Sequence, residues 1–509
     1  MNSLVALPVI LPLLGAALGV IAAPYRWVQR ALALTALAAN VVISILLFIE
    51  VDGDEMLVMQ AGGWKVPLGI TLAVDRLSAV MLVVSSLMMI SVLVYAIGQG
   101  AEESRFAAFN PIYLVLAAGV SASFVTGDLF NLFVAFEMML VASYVLLTLG
   151  GRPGQVRSGM SYVVISLVAS TFFITALALI YSATGTVNMA ELSQRIPELS
   201  SGVRVGFSLL LILVFGIKAG LFPLFFWLPD SYPTAPGAIT AVFAGLLTKV
   251  GVYAIIRSQT LLFPPDAQQG SFLLVLAGLT MVVGVLGALA QDDMRRMLSF
   301  HIISHIGYMI FGLALFTLAG IAGAVFYVVH HIVVKTALFL VAGLVERRAG
   351  SDRLSRIGGL VRSAPMIAVL FALPALSIAG LPPFSGFVGK FALVGAGIES
   401  DEWPIVAVSL LVSLLTMYVM VRIWSRVFWG EPGDPAIAEW IESDESRVPR
   451  LMTGATTVVV AMSVALIVFA GPLYDYARRT AEDLLAPDRY VETVLGDDHS
   501  DETAKGDDG

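Results

Sequence analysis

Residues 214–230 read VFGIKAGLFPLFFWLPD, an apolar run broken first by one cation, Lys218, and then by Gly220 and Pro223. A helix that meets proline loses a backbone donor at the ring and leaves a carbonyl one turn earlier unpaired. Here the break falls inside a stretch, 205–228, long enough to cross a bilayer. The pattern returns as Ala379-Gly380-Leu381-Pro382-Pro383, again beside a lysine, Lys390. Interrupted spanning helices are the devices that place an ion path at mid-membrane depth. These two stretches therefore decide the fold class: an all-α, polytopic membrane protein with broken seventh and twelfth helices.

The rest of the chain agrees. Its 509 residues are 58% hydrophobic and 13% charged, whereas an ordinary soluble domain carries about 25% charged residues. Apolar runs predict about fourteen transmembrane helices, near 3–22, 29–50, 73–97, 108–126, 129–149, 160–182, 205–228, 237–258, 270–290, 299–317, 322–345, 364–398, 404–428 and 451–471. Met1 to Ala23 has no basic residue ahead of Arg26, which predicts a retained first helix and not a cleaved signal. The absence of cysteine excludes disulfides, iron–sulfur clusters and thiolate-held metals. The net charge of −8 gathers at the end, around Asp497, Asp498, Asp501, Glu502, Asp507 and Asp508, and predicts a soluble acidic tail over 472–509.

Loop charges set the expected orientation. With both termini outside the cytoplasm, the inner ends hold most of the arginines, among them Arg26, Arg30, Arg105, Arg152, Arg157, Arg295, Arg296, Arg347, Arg348, Arg353 and Arg356. The outer loops hold only Lys65, Arg76, Arg195, Arg204 and Arg257, besides a few basic residues in the tail. The two A-G-L-x-P breaks lie 160 residues apart, and Tyr162-Val163-Val164 is echoed by Tyr327-Val328-Val329 at a similar offset. Five helices separate the matched pairs, and an odd number of crossings reverses orientation. The expected organisation is a three-helix segment at 1–107, a first five-helix repeat at 108–258, an inverted second repeat at 270–428, and a linker with a last helix at 429–471.

The internal charges point to function. Of six lysines, four (Lys218, Lys249, Lys335 and Lys390) fall inside predicted helices, while the loops use arginine almost exclusively. Arginine holds its proton permanently; a buried amine can give its proton up. Glu137 joins these lysines at similar expected depth. A charge at the centre of a spanning helix costs about 2.5–3.5 kcal/mol even on insertion scales, so such residues are functional by default. The carbonyls freed at Pro223, Pro382 and Pro383 can bind cations or water. His301 and His305 share one helix face, as do His331 and Lys335, with His330 adjacent; His305, His330, His331 and Lys335 form a candidate proton relay. His301 is expected nearer the membrane interface. Asp292 and Asp293, beside Arg295 and Arg296, read as a loop salt-bridge cluster.

These residues resemble the antiporter-like subunits shared by respiratory complex I, membrane-bound hydrogenases and the multisubunit Mrp cation/proton antiporters. The resemblance covers nearly the whole chain. It rests on Phe136-Glu137, on Lys218 to Pro223, on Trp227-Leu-Pro-Asp230 followed by Ala235-Pro236, and on Lys249. Asp293-Met-Arg-Arg296 leading to Ser304-His305-Ile-Gly307, and Leu381 to Phe387 before Lys390, complete it. The resemblance implies that Glu137 pairs with Lys218, that Lys249 and the central histidines connect the halves, and that Lys390 ends the path. Asp230 is followed by Ser231-Tyr232-Pro233, where complex I homologues usually have Ala-His. With Lys390 in the twelfth helix, this looks like the D-type subunits of the Mrp branch.

The expected function is therefore that of a secondary transporter subunit, not an enzyme, in a bacterial plasma membrane. Protons would exchange for a monovalent cation, sodium being the expected one, together with the other membrane subunits of an Mrp complex. No cofactor, metal or nucleic acid is implied. The alternative is a proton-pumping subunit of a complex I-like quinone oxidoreductase or hydrogenase. A haem protein using His305 with His330 or His331 is a reading from another class, against which Lys335 on the same face argues.

Overall fold

The computed structural model describes residues 2–53, 56–100, 103, 106–443 and 446–496; Arg105, Lys505 and the acidic cluster from Asp497 to Asp508 lie outside them. The membrane helices are α1 (Leu7–Ile21), α2 (Arg26–Asp52), α3 (Arg76–Gln99), α4 (Phe109–Val125), α5 (Leu129–Thr148), α6 (Pro153–Thr184), α7 (Ser201–Ala219), α8 (Gly237–Leu261), α9 (Gly270–Leu289), α10 (Met294–Ala314) and α11 (Leu318–Ala349). The predicted twelfth helix is two helices, α12 (Pro365–Ala379) and α13 (Ser385–Glu399), followed by α14 (Trp403–Trp429) and α15 (Arg450–Val468). Among the described residues twelve helices are long and apolar enough to span a membrane, while Phe109–Val125 and Pro365–Ala379 are shorter apolar helices. A hairpin between α2 and α3, β1 (Leu57–Gln60) and β2 (Thr71–Val74), pairs antiparallel with Leu57 opposite Val74.

Burial sorts the helices. The most apolar windows of α8 and α11 are 100% buried and that of α10 is 94% buried, against 28–39% for α1, α2, α6, α9, α14 and α15. A helix surrounded by protein on every side needs no polar stripe facing water, so its polar residues are there to face one another. Lys249, His301, His305, His330, His331 and Lys335 all sit on these three central helices. Glycine permits the close approach: a Cβ at Gly284 would lie 2.3 Å from the Ser304 nitrogen on α10, and one at Gly251 would lie 2.6 Å from the Ala219 nitrogen on α7.

The segment read as a soluble tail begins with two docked helices, α16 (Ala470–Leu485) and α17 (Asp488–Leu495). In α16 the residues Tyr476, Ala477, Thr480, Ala481 and Leu484 recur at helical spacing and are buried, a pattern that the acidic average of the tail hides. Asp483 pairs with Arg76 at 2.6 Å, Arg479 with Asp52 at 2.8 Å, and the Tyr476 hydroxyl donates to the Arg76 carbonyl at 2.9 Å. Beside them Asp75, the N-cap of α3, pairs with Arg257 at 2.6 Å. Burial alone would raise the Asp75 carboxyl, but the Arg257 charge and hydrogen bond outweigh it and hold the group below its usual range. Asp128, the N-cap of α5, has no such cation, and burial pushes it up to about 6 despite the backbone N–H bonds it accepts.

Candidate functional site

The two breaks are built alike. At the end of α7 and of α12, Gly220 and Gly380 both adopt φ +82°, the left-handed conformation that glycine allows without steric cost. The Leu221 nitrogen donates back to the Gly216 carbonyl at 3.0 Å, and the Leu381 nitrogen to the Leu376 carbonyl at 3.3 Å. Each turn is followed by a cis peptide, at Phe222-Pro223 and at Pro382-Pro383. The indole of Trp227 donates to the Ile217 carbonyl at 3.0 Å and pins the first break.

The lysines at these breaks differ in what they hold. Lys390 Nζ donates to the Ile378 and Ala379 carbonyls at 3.1 and 3.2 Å and to the Ser413 hydroxyl at 3.0 Å. It sits on the negative end of α12, where the last carbonyls lack helical partners. A Cβ at Gly380 would meet Lys390 Cδ at 2.8 Å, so the glycine also makes room for this side chain. Lys218 Nζ instead reaches across to the Ser166 carbonyl of α6 at 3.5 Å. One turn along α6, the Ser170 hydroxyl donates to the half-buried Glu137 carboxylate. No ion pair joins Glu137 and Lys218 directly among the described residues; they attract through space, with α6 holding both.

In the centre, α8 passes through a π-turn, Phe243–Leu247, and Lys249 Nζ donates to the Ala244 carbonyl at 2.5 Å; π-bulges recur at functional sites. Lys335 lies close enough to feel the Lys249 charge. Its Nζ is 2.9 Å from His301 Nδ1 and donates to the Leu298 carbonyl at 3.4 Å. The His301 and His305 ring centroids are 4.5 Å apart, and His305 and His331 are 5.3 Å apart. His305 Nδ1 is bonded to the Tyr327 hydroxyl at 2.5 Å, and His330 Nδ1 to the Ser385 hydroxyl at 2.9 Å. Ser385 is 3.2 Å from Ser377, next to the carbonyls that Lys390 caps. The structure thus gathers Lys249, His305, His330, His331 and Lys335 at the centre, with Glu137 and Lys218 at one break and Lys390 at the other.

His301 is fully buried within the protein, two turns into α10, which begins at Met294. Ser166, Ser170, Tyr327, Ser377, Ser385 and Ser413 are not legible as site residues in the sequence; their residue types are common in membrane helices, and only the Tyr327–His330–His331 spacing hints at a shared face. Asp292 and Asp293 do serve loop contacts, but with other segments: Ser355 donates to Asp292 at 2.5 Å, and Arg353 pairs with Asp293 at 3.5 Å. Arg296 pairs with Asp230 at 2.9 Å. The His305 and His331 rings pack against each other and Tyr327, leaving no room for a porphyrin between them. Among the described residues no group of three or more His, Cys, Asp or Glu is arranged to hold a metal.

Residues 126–416 match the sequence family described as NADH:quinone oxidoreductase/Mrp antiporter, TM. The chain is 42% identical over 497 residues to the D-type subunit of the Na(+)/H(+) antiporter of Alkalihalophilus pseudofirmus, covering 97% of this chain and 100% of that one. It is 37% identical to the protein of the same name from Bacillus subtilis, with the same coverage. A chain in the solved Mrp complex from a Dietzia species superposes with a TM-score of 0.90 at 32% identity, over 97% of this chain and 99% of that one.

Proposed function

The chain belongs to the NADH:quinone oxidoreductase/Mrp antiporter transmembrane family, and from that premise we propose that it is the D-type subunit of a bacterial multisubunit Na+/H+ antiporter. It is a transporter subunit and not an enzyme, and it works in the lipid bilayer with the other membrane subunits of an Mrp complex. Protons move along the line from Glu137 and Lys218 through Lys249, the Lys335–His301 couple, His305, His331 and His330 to Lys390, in exchange for a monovalent cation.

The observation that carries this reading is the Lys335–His301 contact at 2.9 Å, standing between two broken helices that each end beside a lysine. An amine against an imidazole can hold one proton on either partner, which a static salt bridge cannot do. The ring nitrogens His301 Nε2, His305 Nε2, His330 Nε2 and both nitrogens of His331 are buried without a protein partner. Leaving such atoms unsatisfied costs about 1–3 kcal/mol each, and bridging water would remove that cost while joining the side chains into a wire.

Shared break geometry supports the inverted-repeat reading of 108–258 against 270–428, because Gly220 and Gly380 adopt the same φ within matching motifs. The arginine-rich loops support a reading with both termini outside the cytoplasm. Arg30–Glu103, Arg296–Asp230, Arg353–Asp293 and Arg356–Asp434 cluster at the helix ends expected inside. A redox-driven pump would use the same internal residues, but the near-complete match to antiporter subunits of that name favours exchange. The experiment loads everted vesicles, carrying the chain in its complete complex, with an acid interior. Dissipation of that gradient on adding sodium alone supports the function, and proton movement that requires redox turnover overturns it.

A further inference from the structure

Beside the route through His331, the line has two places where no other titratable residue stands: between the facing sides of His305 and His330, and between His330 and the second break. Each is occupied by a hydroxyl. Tyr327 and Ser385 are fully buried, and each bonds the Nδ1 of one histidine, at 2.5 and 2.9 Å. Tyr327 also packs its ring against both His305 and His330, with centroids 5.9 and 5.4 Å away.

The partner chosen by Tyr327 sets it apart from other buried tyrosines of this chain. Tyr95, Tyr113 and Tyr308 donate to backbone carbonyls. A carbonyl accepts a hydrogen bond but gives no proton onward. A neutral imidazole does both, one nitrogen donating and the other accepting. His305 and His330 therefore each have one port on a hydroxyl and a second, Nε2, that no protein group occupies.

We propose that Tyr327 and Ser385 are proton-transfer residues of this line, Tyr327 between His305 and His330 and Ser385 between His330 and the second break. The proposal rests on the proton line stated above. In the first step the Ser385 hydroxyl gives its proton to His330 Nδ1, free in the Nε2–H tautomer, while accepting one from the Ser377 side, where Lys390 caps the adjoining carbonyls. In the second step the resulting imidazolium gives its Nε2 proton through a water to the Tyr327 oxygen as the Tyr327 O–H proton passes to His305 Nδ1. The serine and the phenol end neutral, one positive charge has moved through His330 to His305, and His330 is left as its Nδ1–H tautomer. Reversed, the same steps run outward. Tyr327 faces His305 and Tyr308 from α10 and His330 and His331 on its own helix; Ser385 faces His330 and Ser377, with Lys390 one turn further along α13.

The test measures sodium-driven proton exchange against pH in vesicles holding the complete complex, for Tyr327→Phe, Ser385→Ala, Ser385→Thr and the control Lys335→Ala. A positioned proton-transfer group contributes roughly 10²–10⁴-fold, and water can replace part of it, so Tyr327→Phe and Ser385→Ala should each slow exchange at least about tenfold. Their pH profiles should shift, and Ser385→Thr should restore the parent profile. Parent-like rates, or slowing with an unshifted profile and no rescue by threonine, overturn the proposal while an inactive Lys335→Ala leaves the line itself standing. A fully active Lys335→Ala overturns both. Where one variant fails to assemble, the rate ratio in H2O and D2O measured on the other decides: a ratio larger than the parent's, from a proton transfer made more rate-limiting, supports the proposal and an unchanged ratio overturns it.

Discussion

Lys335 Nζ stands 2.9 Å from His301 Nδ1, with both side chains fully buried. Among the described residues it is the central contact in which two bases share a hydrogen bond directly, and it ties α10 to α11. Replacing His301 with glutamine keeps an acceptor in reach but removes the ability to carry a proton. His301→Gln should therefore slow exchange about tenfold or more and move its pH optimum. Parent-like exchange in vesicles bearing this variant would reduce His301 to a passive acceptor.

Glu137 is held by Ser170, one turn from the Ser166 carbonyl that Lys218 contacts. Glu137→Gln removes the carboxylate that α6 holds beside Lys218, and assembled complex should then lose sodium-driven exchange. Ser170→Ala removes only a hydrogen bond to a charged group, worth about 1.5–3 kcal/mol. It should lower exchange without abolishing it. Equal loss in both variants, read from vesicle exchange at matched amounts of complex, would contradict this ranking.

Asp75 and Arg257 form a buried pair at 2.6 Å on the face covered by α16 and α17. Breaking such a pair from one side costs about 3–5 kcal/mol. Asp75→Asn should lower the thermal midpoint of the purified complex. Because Arg257 holds the folded carboxyl below its unfolded value, the pair's contribution is present above about pH 4 and is lost as pH falls through the folded value. An unchanged midpoint at neutral pH would show that the docked C-terminal helices do not depend on this pair.

Asp128 has the opposite sign. Its carboxyl is pushed up to about 6 when folded, so the folded state binds more protons than the unfolded chain between about pH 4 and 6, and stability falls as pH rises through that window. Asparagine keeps the N-cap acceptor for the Asn131 nitrogen, 2.7 Å away, without a charge to desolvate. Asp128→Asn should raise the midpoint above pH 6 and flatten its dependence below. A lower midpoint at pH 7 would show that the negative charge is needed there.

The breaks, the buried lysines and the central histidines are legible in the sequence because each is improbable in a membrane helix and has a physical reason to be noticed. Lys390 can be placed beside a hydrated break from Leu381-Pro-Pro alone. What it touches cannot be read there, since the Ile378 and Ala379 carbonyls and Ser413 come together only through packing. The part His301 plays is hidden in the sequence because its contact with Lys335 arises only where α10 packs against α11. Tyr327 and Ser385 escape notice because a hydroxyl in an apolar helix is ordinary until its partner is known. The docking of α16 is hidden by averaging charge over the whole tail.

On the proposed line protons reach and leave Lys390 at the second break, and Lys390→Arg tests this most directly. Arginine keeps the positive charge on the α12 carbonyls but does not release its proton in a protein. The measurement is sodium-driven proton exchange across pH in vesicles containing equal amounts of assembled complex. The expected result is assembled complex with exchange lost at every pH. Exchange at the parent rate with Lys390→Arg would show that charge alone suffices at the break and would contradict proton transfer through this residue.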